Sequence, residues 1–557
     1  MKNLYFSFIL TGLLAGISGM KPAGAQSDNT IQINPQDTFQ TITGFGASLA
    51  FYEGWLPAHP NKAEIYDAIF DELSLDILRV RNAHGYNPAM MNIVKEFQQA
   101  AENSLGHPIP IMSTSWGPPA YLKSNNDKDN GGTLKYEVVD GEVRFNYGGF
   151  AQWWGESLDA YAAKGIYPKY ISIQNEPDWE ANYESCLLRP SETVNSTDTI
   201  AGYNVALDSV YQMITGREHQ PLLLGPECIG IGYNAVQNYI NALDVSKLHG
   251  IAHHLYHGAE EDNPFLSDNF SEAGNFHPEI PHFQTEYSRA EWFQVGATIF
   301  QSLYEENVVA YLYWDLIWTD GGGLVDLDFP WDQSQWKDPQ KGYTRTKDYF
   351  VFKQFSAFIH PGWKRVGTPG EIQGLHSVAF INPGKDSASV VIVNESETES
   401  RNVNLDFEGF SIEEAEVYVT SPSKNGEHTG QLAANDELAV EPRSITTVAM
   451  QISKIDTYAE PLSDFASGES LGGVKCFPNP FSDFTTIEFE TAASQNIRLT
   501  IFDSHGREVR RQQFENFAQG VNQIQFQKDE LKPGIYLFKL ENDKGDFETG
   551  RMVISEE

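Results

Sequence analysis

Tyr170-Ile171-Ser172-Ile173-Gln174-Asn175-Glu176-Pro177 is a short apolar, β-branched run that closes on two amides, an acid and a proline. One amphipathic pattern, Phe150–Lys164, precedes it and another, Ile200–Ile214, follows. A buried strand between two helices is the repeating unit of a parallel sheet. Working outward, similar runs recur at Thr41–Gly46, Leu75–Arg81, Ile109–Thr114, Pro221–Pro226, Gly250–His254, Glu279–Gln284 and Val308–Tyr313. Helical patterns such as Asn61–Leu73 and Asn234–Ala242 lie between them. Eight such units predict a closed (β/α)8 barrel of the α/β class.

Beyond about Gly374 the pattern changes to short alternating strands, among them Ser389–Val393 and Glu416–Val419, with turns between them and no long helix. This predicts a side β-sandwich. We expect the barrel over 26–351, with a β-like stretch at about 28–40 joining the side sheet, and the sandwich over 352–455. An acidic Ser/Gly-rich linker, 456–473, leads to a small all-β module, 474–557, with turns at Asn479-Pro480 and Pro533-Gly534.

The first residues read as an export signal. Lys2 precedes an apolar run, Leu4–Ile17, and Ala23-Gly24-Ala25 offers the small residues a peptidase accepts, so 1–25 should be removed before Gln26. The chain is then secreted or held at the cell surface. Its net charge of −38 argues against nucleic acid or an anionic membrane as partner. Cys186, Cys228 and Cys476 are odd in number and far apart, so they imply no disulfide framework.

Active sites of such barrels form at the carboxyl ends of the strands. Those ends carry Arg79 and Arg81-Asn82, Trp116, Asn175-Glu176, His254 and Tyr256, Glu286, and Trp314. Glu176 and Glu286 would face each other across the mouth, the pair that glycoside hydrolysis requires. One donates a proton to the leaving oxygen and needs a raised pKa, expected at Glu176; the other, Glu286, must be ionised. Asn175 can bond a sugar hydroxyl, Tyr256 the oxygen of Glu286, and Trp116 and Trp314 can wall a pyranose ring. Arg79 is either a site residue or a buried ion-pair partner below the pocket. His253, His254 and His257 lie on a strand end, where i and i+4 do not converge as on a helix, and they read as pocket histidines rather than metal ligands.

With these residues in place, the segment Ile171–Trp179, followed by Tyr183-Glu184-Ser185-Cys186, resembles glycoside hydrolase family 30, nearest its bacterial glucuronoxylanase and endo-xylanase branch. Gly44-Phe45-Gly46-Ala47, Ser115-Trp116-Gly117-Pro118-Pro119, Gln284-Thr285-Glu286-Tyr287 and Gln354–Trp363 carry the same likeness in family order. The resemblance implies retaining chemistry with Glu176 as acid/base and Glu286 as nucleophile, no metal or other cofactor, and a xylan-type polysaccharide substrate; we expect the chain to act as a monomer. It adds Trp55 to the sugar-contacting positions. Glucuronoxylanases of the family hold the glucuronate branch with an arginine ahead of the last barrel helix. Here Lys341–Tyr349 offers Arg345, or Lys347 without the bidentate fork, and the same segment also reads as a solvated basic patch. A β-1,6-glucanase, an exo-acting or glucosylceramidase-like β-glycosidase, and a silent polysaccharide-binding protein are the alternatives. The last module, through Phe477-Pro478-Asn479-Pro480, Gly506-Arg507 and Pro533-Gly534-Ile535-Tyr536, resembles a type IX secretion sorting domain and implies that machinery as a partner.

Overall fold

The structure, a computed structural model, describes residues 29–259, 263–288, 291–329, 332, 342–433, 436–455, 471–503 and 507–555. The expected signal peptide, most of the linker, Lys341 and Gly506 lie outside the described residues. Two compact units divide at residue 454.

The first unit contains a closed barrel of eight parallel strands: β1 (Gly44–Leu49), β2 (Ile77–Arg81), β3 (Ile111–Thr114), β4 (Tyr170–Ser172), β5 (Leu222–Gly230), β6 (Gly250–His257), β7 (His282–Glu286) and β8 (Ala310–Tyr313). β8 closes on β1 in the register Tyr313↔Ala47. All eight runs read from the sequence are present, with ends moved by a few residues.

The pleat sorts each strand into two faces. On β2, Leu78 and Val80 join the core under the helices, while Ile77 joins a plug inside the barrel with Met112, Tyr170, Leu224, Phe283 and Leu312. The plug fills the amino-terminal half, so polar side chains of the next layers are lifted toward the opposite mouth. Outside, Met90–Leu105 buries Met90, Val94, Phe97 and Ala101, the spacing of one helix face, and ends at Gly106 with φ 78°. Trp292–Gln301 starts with a capping box between Glu291 and Gln294. Among the described residues, no helix is long and apolar enough to cross a membrane.

The side sandwich is built around the strands Leu375–Ile381, Ser387–Asn394, Phe410–Ser421 and Ser444–Lys454. The amino-terminal strand Thr30–Thr41 enters it, parallel to Arg401–Phe407 over Thr30–Ile33 and antiparallel to Lys364–Gly367 beyond. The chain thus starts in the sandwich before it builds the barrel. Gln354, on the last barrel helix, donates to Thr420 at 2.9 Å and its carbonyl accepts from Thr447 at 2.7 Å, locking that helix to the sheet.

The second unit is a sandwich of three strands (Leu471–Phe477, Phe484–Thr491, Gly520–Gln527) and four (Gln495–Phe502, Glu508–Phe517, Gly534–Asn542, Phe547–Ile554). Its core includes Ile487, Phe489, Leu499, Phe526, Phe538 and Met552.

Candidate active site

The carboxyl ends of the barrel strands gather a buried set of charged side chains. Arg79 sits inside the barrel one pleat above the Ile77 plug and is fully buried. Its Nη1 donates to Glu286 Oε2 at 2.6 Å and to Ser48 at 3.2 Å, and its Nη2 donates to Asn175 Oδ1 at 2.6 Å. Nη2 also lies 3.0 Å from Glu227 Oε1, and the guanidinium stands 4.3 Å from the Trp116 ring centroid. Asn175 and Glu176 follow β4, and the Glu176 N–H bonds the Glu227 carbonyl at 3.0 Å. Both glutamates have left-handed backbones, φ 45° and 59°. Each costs about 1–3 kcal/mol in a non-glycine residue, and such strain collects at functional sites.

Glu176 and Glu286 are each only 5% exposed. One oxygen of each, with a His254 nitrogen, lies within 4.8 Å of the others. His254 Nδ1 is 3.0 Å from Glu176 Oε1, and its Nε2 is 3.7 Å from both Glu227 Oε1 and Glu286 Oε2. The Tyr256 hydroxyl donates to Glu286 Oε1 at 3.0 Å, and that of Tyr183 to Glu176 Oε2 at 3.4 Å.

Burial would by itself strip His254 of its second proton, but the charges of Glu286, Glu176 and Glu227 outweigh it and lift the imidazole to about 10. Burial likewise opposes charge on Glu227, yet Arg79 and His254 hold its carboxyl at about 2. At Glu286 burial prevails and, with the charge of Glu176, raises the carboxyl against the pull of His254 and Arg79. The sequence reading expected Glu286 to be ionised; burial raises its carboxyl, while its Arg79 and Tyr256 donors address the anionic form. Two cations thus face three carboxyls, so one carboxyl of the cluster can carry a proton with no charge left over. Glu176, His254 and Glu286 converge closely enough for one cation, and Arg79 already supplies positive charge to Glu286.

Above this floor opens a cleft of about 620 Å³ whose walls include Phe51, Tyr52, Trp116, Trp179, Tyr183, Tyr256, His257, Trp314 and Trp318. Phe51, in a left-handed conformation (φ 63°), meets Trp116, Tyr183 and Trp314 edge-on, each at 6.0 Å. Of the residues singled out in the sequence, Glu176, Glu286, Trp116, Tyr256 and Trp314 line the cleft, with Asn175 and Arg79 beneath it. Arg79 is the buried ion-pair partner and, through Glu286 and Asn175, part of the site too.

Two expectations need correction. Trp55 is not among the cleft-lining residues; it stacks at 3.7 Å on Tyr52, which does line the cleft. Arg345 does not face the cleft either: it pairs with Glu72, because the strand Tyr343–Arg345 lays it against the turn Ala68–Glu72. Lys347 is also committed, to the Ser421 and Lys424 carbonyls and to Asn425. The three histidines separate, His253 bonding Glu306 at 2.5 Å and His257 reaching the cleft rim. Sequence reading missed Glu227, Phe51, Tyr183 and Trp318. Glu227 carried a signal, an acid just past the apolar run Pro221–Pro226, and Tyr183 stood in the segment that carries the family likeness.

Residues 362–448 match the family model of the glycosyl hydrolase family 30 beta sandwich domain, and residues 475–555 that of the secretion system C-terminal sorting domain. An endo-1,6-beta-D-glucanase of Neurospora crassa is 24% identical over 381 residues, 66% of this chain and 71% of its own. The glucuronoxylanase XynC of Bacillus subtilis is 21% identical over 434 residues, 76% of this chain and 90% of its own. The catalytic domain of a GH30 xylanase C from Talaromyces cellulolyticus shares the fold with a TM-score of 0.60 at 21% identity, over 76% of this chain and 100% of that domain.

Proposed function

We propose that this chain, a family 30 glycoside hydrolase that ends in a type IX secretion sorting domain, is a retaining endo-hydrolase of a neutral β-linked glycan, with xylan as its first substrate. The observation that carries the chemistry is the approach of Glu176 and Glu286 oxygens to within 4.8 Å. Retaining enzymes hold their carboxyls about 5–5.5 Å apart, whereas inverting ones need roughly 6.5–9.5 Å to admit a water. Glu286, aligned by Arg79 and Tyr256, attacks the anomeric carbon as Glu176 protonates the leaving oxygen. The glycosyl–Glu286 ester is then opened by a water that gives its proton to Glu176. Since Arg79 occupies the Asn175 oxygen, the Asn175 amide presents N–H donors to the sugar.

The substrate follows from the walls. Among the described residues that line the cleft there is no lysine or arginine, so undecorated xylan is the first substrate and a glucuronate branch is not required. β-1,6-Glucan is the second reading, supported by the named glucanase relative. The sorting domain serves export to the medium or the cell surface, after removal of the proposed signal peptide, and one copy of the chain suffices.

Glu286→Ala should lose turnover and regain it with azide as the α-glycosyl azide, while Glu176→Ala should fall by about 10²–10⁴ and give the β-azide. Full activity in either variant on every glycan sinks the assignment. Product analysis on linear xylan, glucuronoxylan and β-1,6-glucan then separates the two substrate readings.

A further inference from the structure

We infer that the leaving-group end of the cleft continues beyond the pocket as a sugar-binding lip made of Trp179, His257 and Tyr233, which takes neutral pyranose rings downstream of the cut. The inference rests on the reading of Glu176 as the acid, since a proton donor stands beside the oxygen that leaves and the departing chain must run past it.

From Glu176 the loop continues through Pro177 and Asp178 to Trp179. Asp178 Oδ1 accepts the Ile229 N–H at 3.1 Å, fastening that loop to the end of β5. The ends of β5 and β6 are themselves drawn together, with the Gly232 N–H on the His257 carbonyl at 3.0 Å. A Cβ on Gly230 would lie 2.0 Å from that carbonyl oxygen, and one on Gly258 (φ 98°) 2.3 Å from the Gly232 nitrogen, so only glycines permit the approach. His257 thereby meets Trp179 edge-on, 5.9 Å between centroids, and both line the cleft.

Tyr233 follows Gly232 directly. At 89% exposure it is the most exposed large apolar side chain among the described residues, and its backbone is left-handed (φ 58°). A lone exposed aromatic is ordinary. Here the chain holds one in a strained conformation one residue past Gly232, whose N–H bonds the His257 carbonyl, and Trp179, the ring partner of His257, is itself 42% exposed. Aromatic faces of this kind stack on the C–H faces of sugar rings and need no charge on the ligand.

The test compares Tyr233→Ala with the parent enzyme on two probes: the linear hexasaccharide of whichever glycan is cleaved, and a p-nitrophenyl β-trioside whose aryl group occupies only the first downstream position. kcat/KM on the hexasaccharide should fall about tenfold while the trioside stays within about twofold, and Tyr233→Phe should restore the hexasaccharide. An unchanged hexasaccharide rate, or equal losses on both probes, overturns the lip. The acid assignment is judged separately: Glu176→Ala should lose the hexasaccharide yet keep azide-dependent turnover of the trioside. If it does not, the parent reading fails whatever Tyr233 does.

Discussion

Arg79 and Arg81 leave β2 on the same face, two residues and so roughly 6.6 Å apart, yet they hold different things. Arg79 binds groups at the strand ends: Glu286 at the end of β7, Glu227 within β5 and Asn175 after β4. Arg81 binds loops. Its Nε meets Glu53 after β1 at 2.6 Å, its Nη1 meets Glu184 after β4 at 2.7 Å, and its guanidinium stands 4.6 Å from the Phe51 ring centroid. Lys128, after β3, joins Glu184 at 3.2 Å. The lower layer therefore fixes the charges around the proposed chemistry, and the upper layer fixes the wall that a substrate meets first. A repeat of two residues in a strand becomes a division between rate and fit.

Removing the lower cation gives the largest effect. Arg79→Met leaves Glu227 and Glu286 buried without their guanidinium, which should cost about 3–5 kcal/mol in denaturant unfolding and lower kcat by about 10²–10³. Arg79→Lys should recover part of the stability but little of the rate, because one ammonium cannot span Glu286, Glu227 and Asn175. A kcat within tenfold of the parent in Arg79→Met would erase the contrast between the layers.

The next effect is a pH dependence confined to the lower layer. His254 is raised from 6.5 to about 10, so its charge contributes stability that is fully present below 6.5 and lost as pH rises toward 10. Glu227, lowered from 4.5 to about 2, contributes stability present above 4.5 and lost as pH falls toward 2. The thermal midpoint should therefore decline between pH 6.5 and 10, and His254→Asn should flatten that limb. Arg81→Lys should leave it intact; a flattened limb there would join the layers into one network.

Arg81→Ala comes third. Lys128 remains to face Glu184 while Glu53 loses its guanidinium, so the loss should be about 3 kcal/mol, the low end for a broken buried pair. Phe51 loses the cation at its ring, and KM should rise about tenfold with kcat within threefold, measured on a linear oligosaccharide. A kcat loss exceeding the KM change would place Arg81 in the chemistry.

The asymmetry between what was readable and what was not follows the same geometry. Glu176 and Glu286 were visible because each closes an apolar run, and a strand end in this fold points at the mouth. Glu227 also follows an apolar run, Pro221–Pro226, but its place beside Arg79 was not visible, because β5 shifts register against β6 between Pro226 and Cys228. That irregularity and the left-handed backbone at Glu227 belong to the β5 turn that brings the carboxyl to Arg79, and period-two reading cannot anticipate it. Phe51 and Tyr183 lie on loops whose paths depend on Arg81, Glu53 and Glu184, residues scattered over 132 positions of sequence. The barrel, the sandwich and the sorting module were legible because each repeats its pattern many times.

Arg345 marks the far edge of this lesson and the smallest expected effect. A basic residue at a helix start is visible in sequence, but its partner Glu72 is 273 residues away. The pair is about one-third exposed on each side, and Lys353 stands 3.6 Å from the same carboxylate, so Glu72 keeps a cation when Arg345 is removed. Arg345→Ala should then cost under about 1 kcal/mol and leave the ratio of glucuronoxylan to linear xylan turnover unchanged. A selective fall on glucuronoxylan would mean that Arg345 leaves Glu72 when an acidic branch arrives, making the outer surface near β2 part of substrate recognition. Against that stands the pairing itself: Arg345 would have to give up Glu72, and the described residues that line the cleft include no lysine or arginine to hold an acidic branch in the meantime.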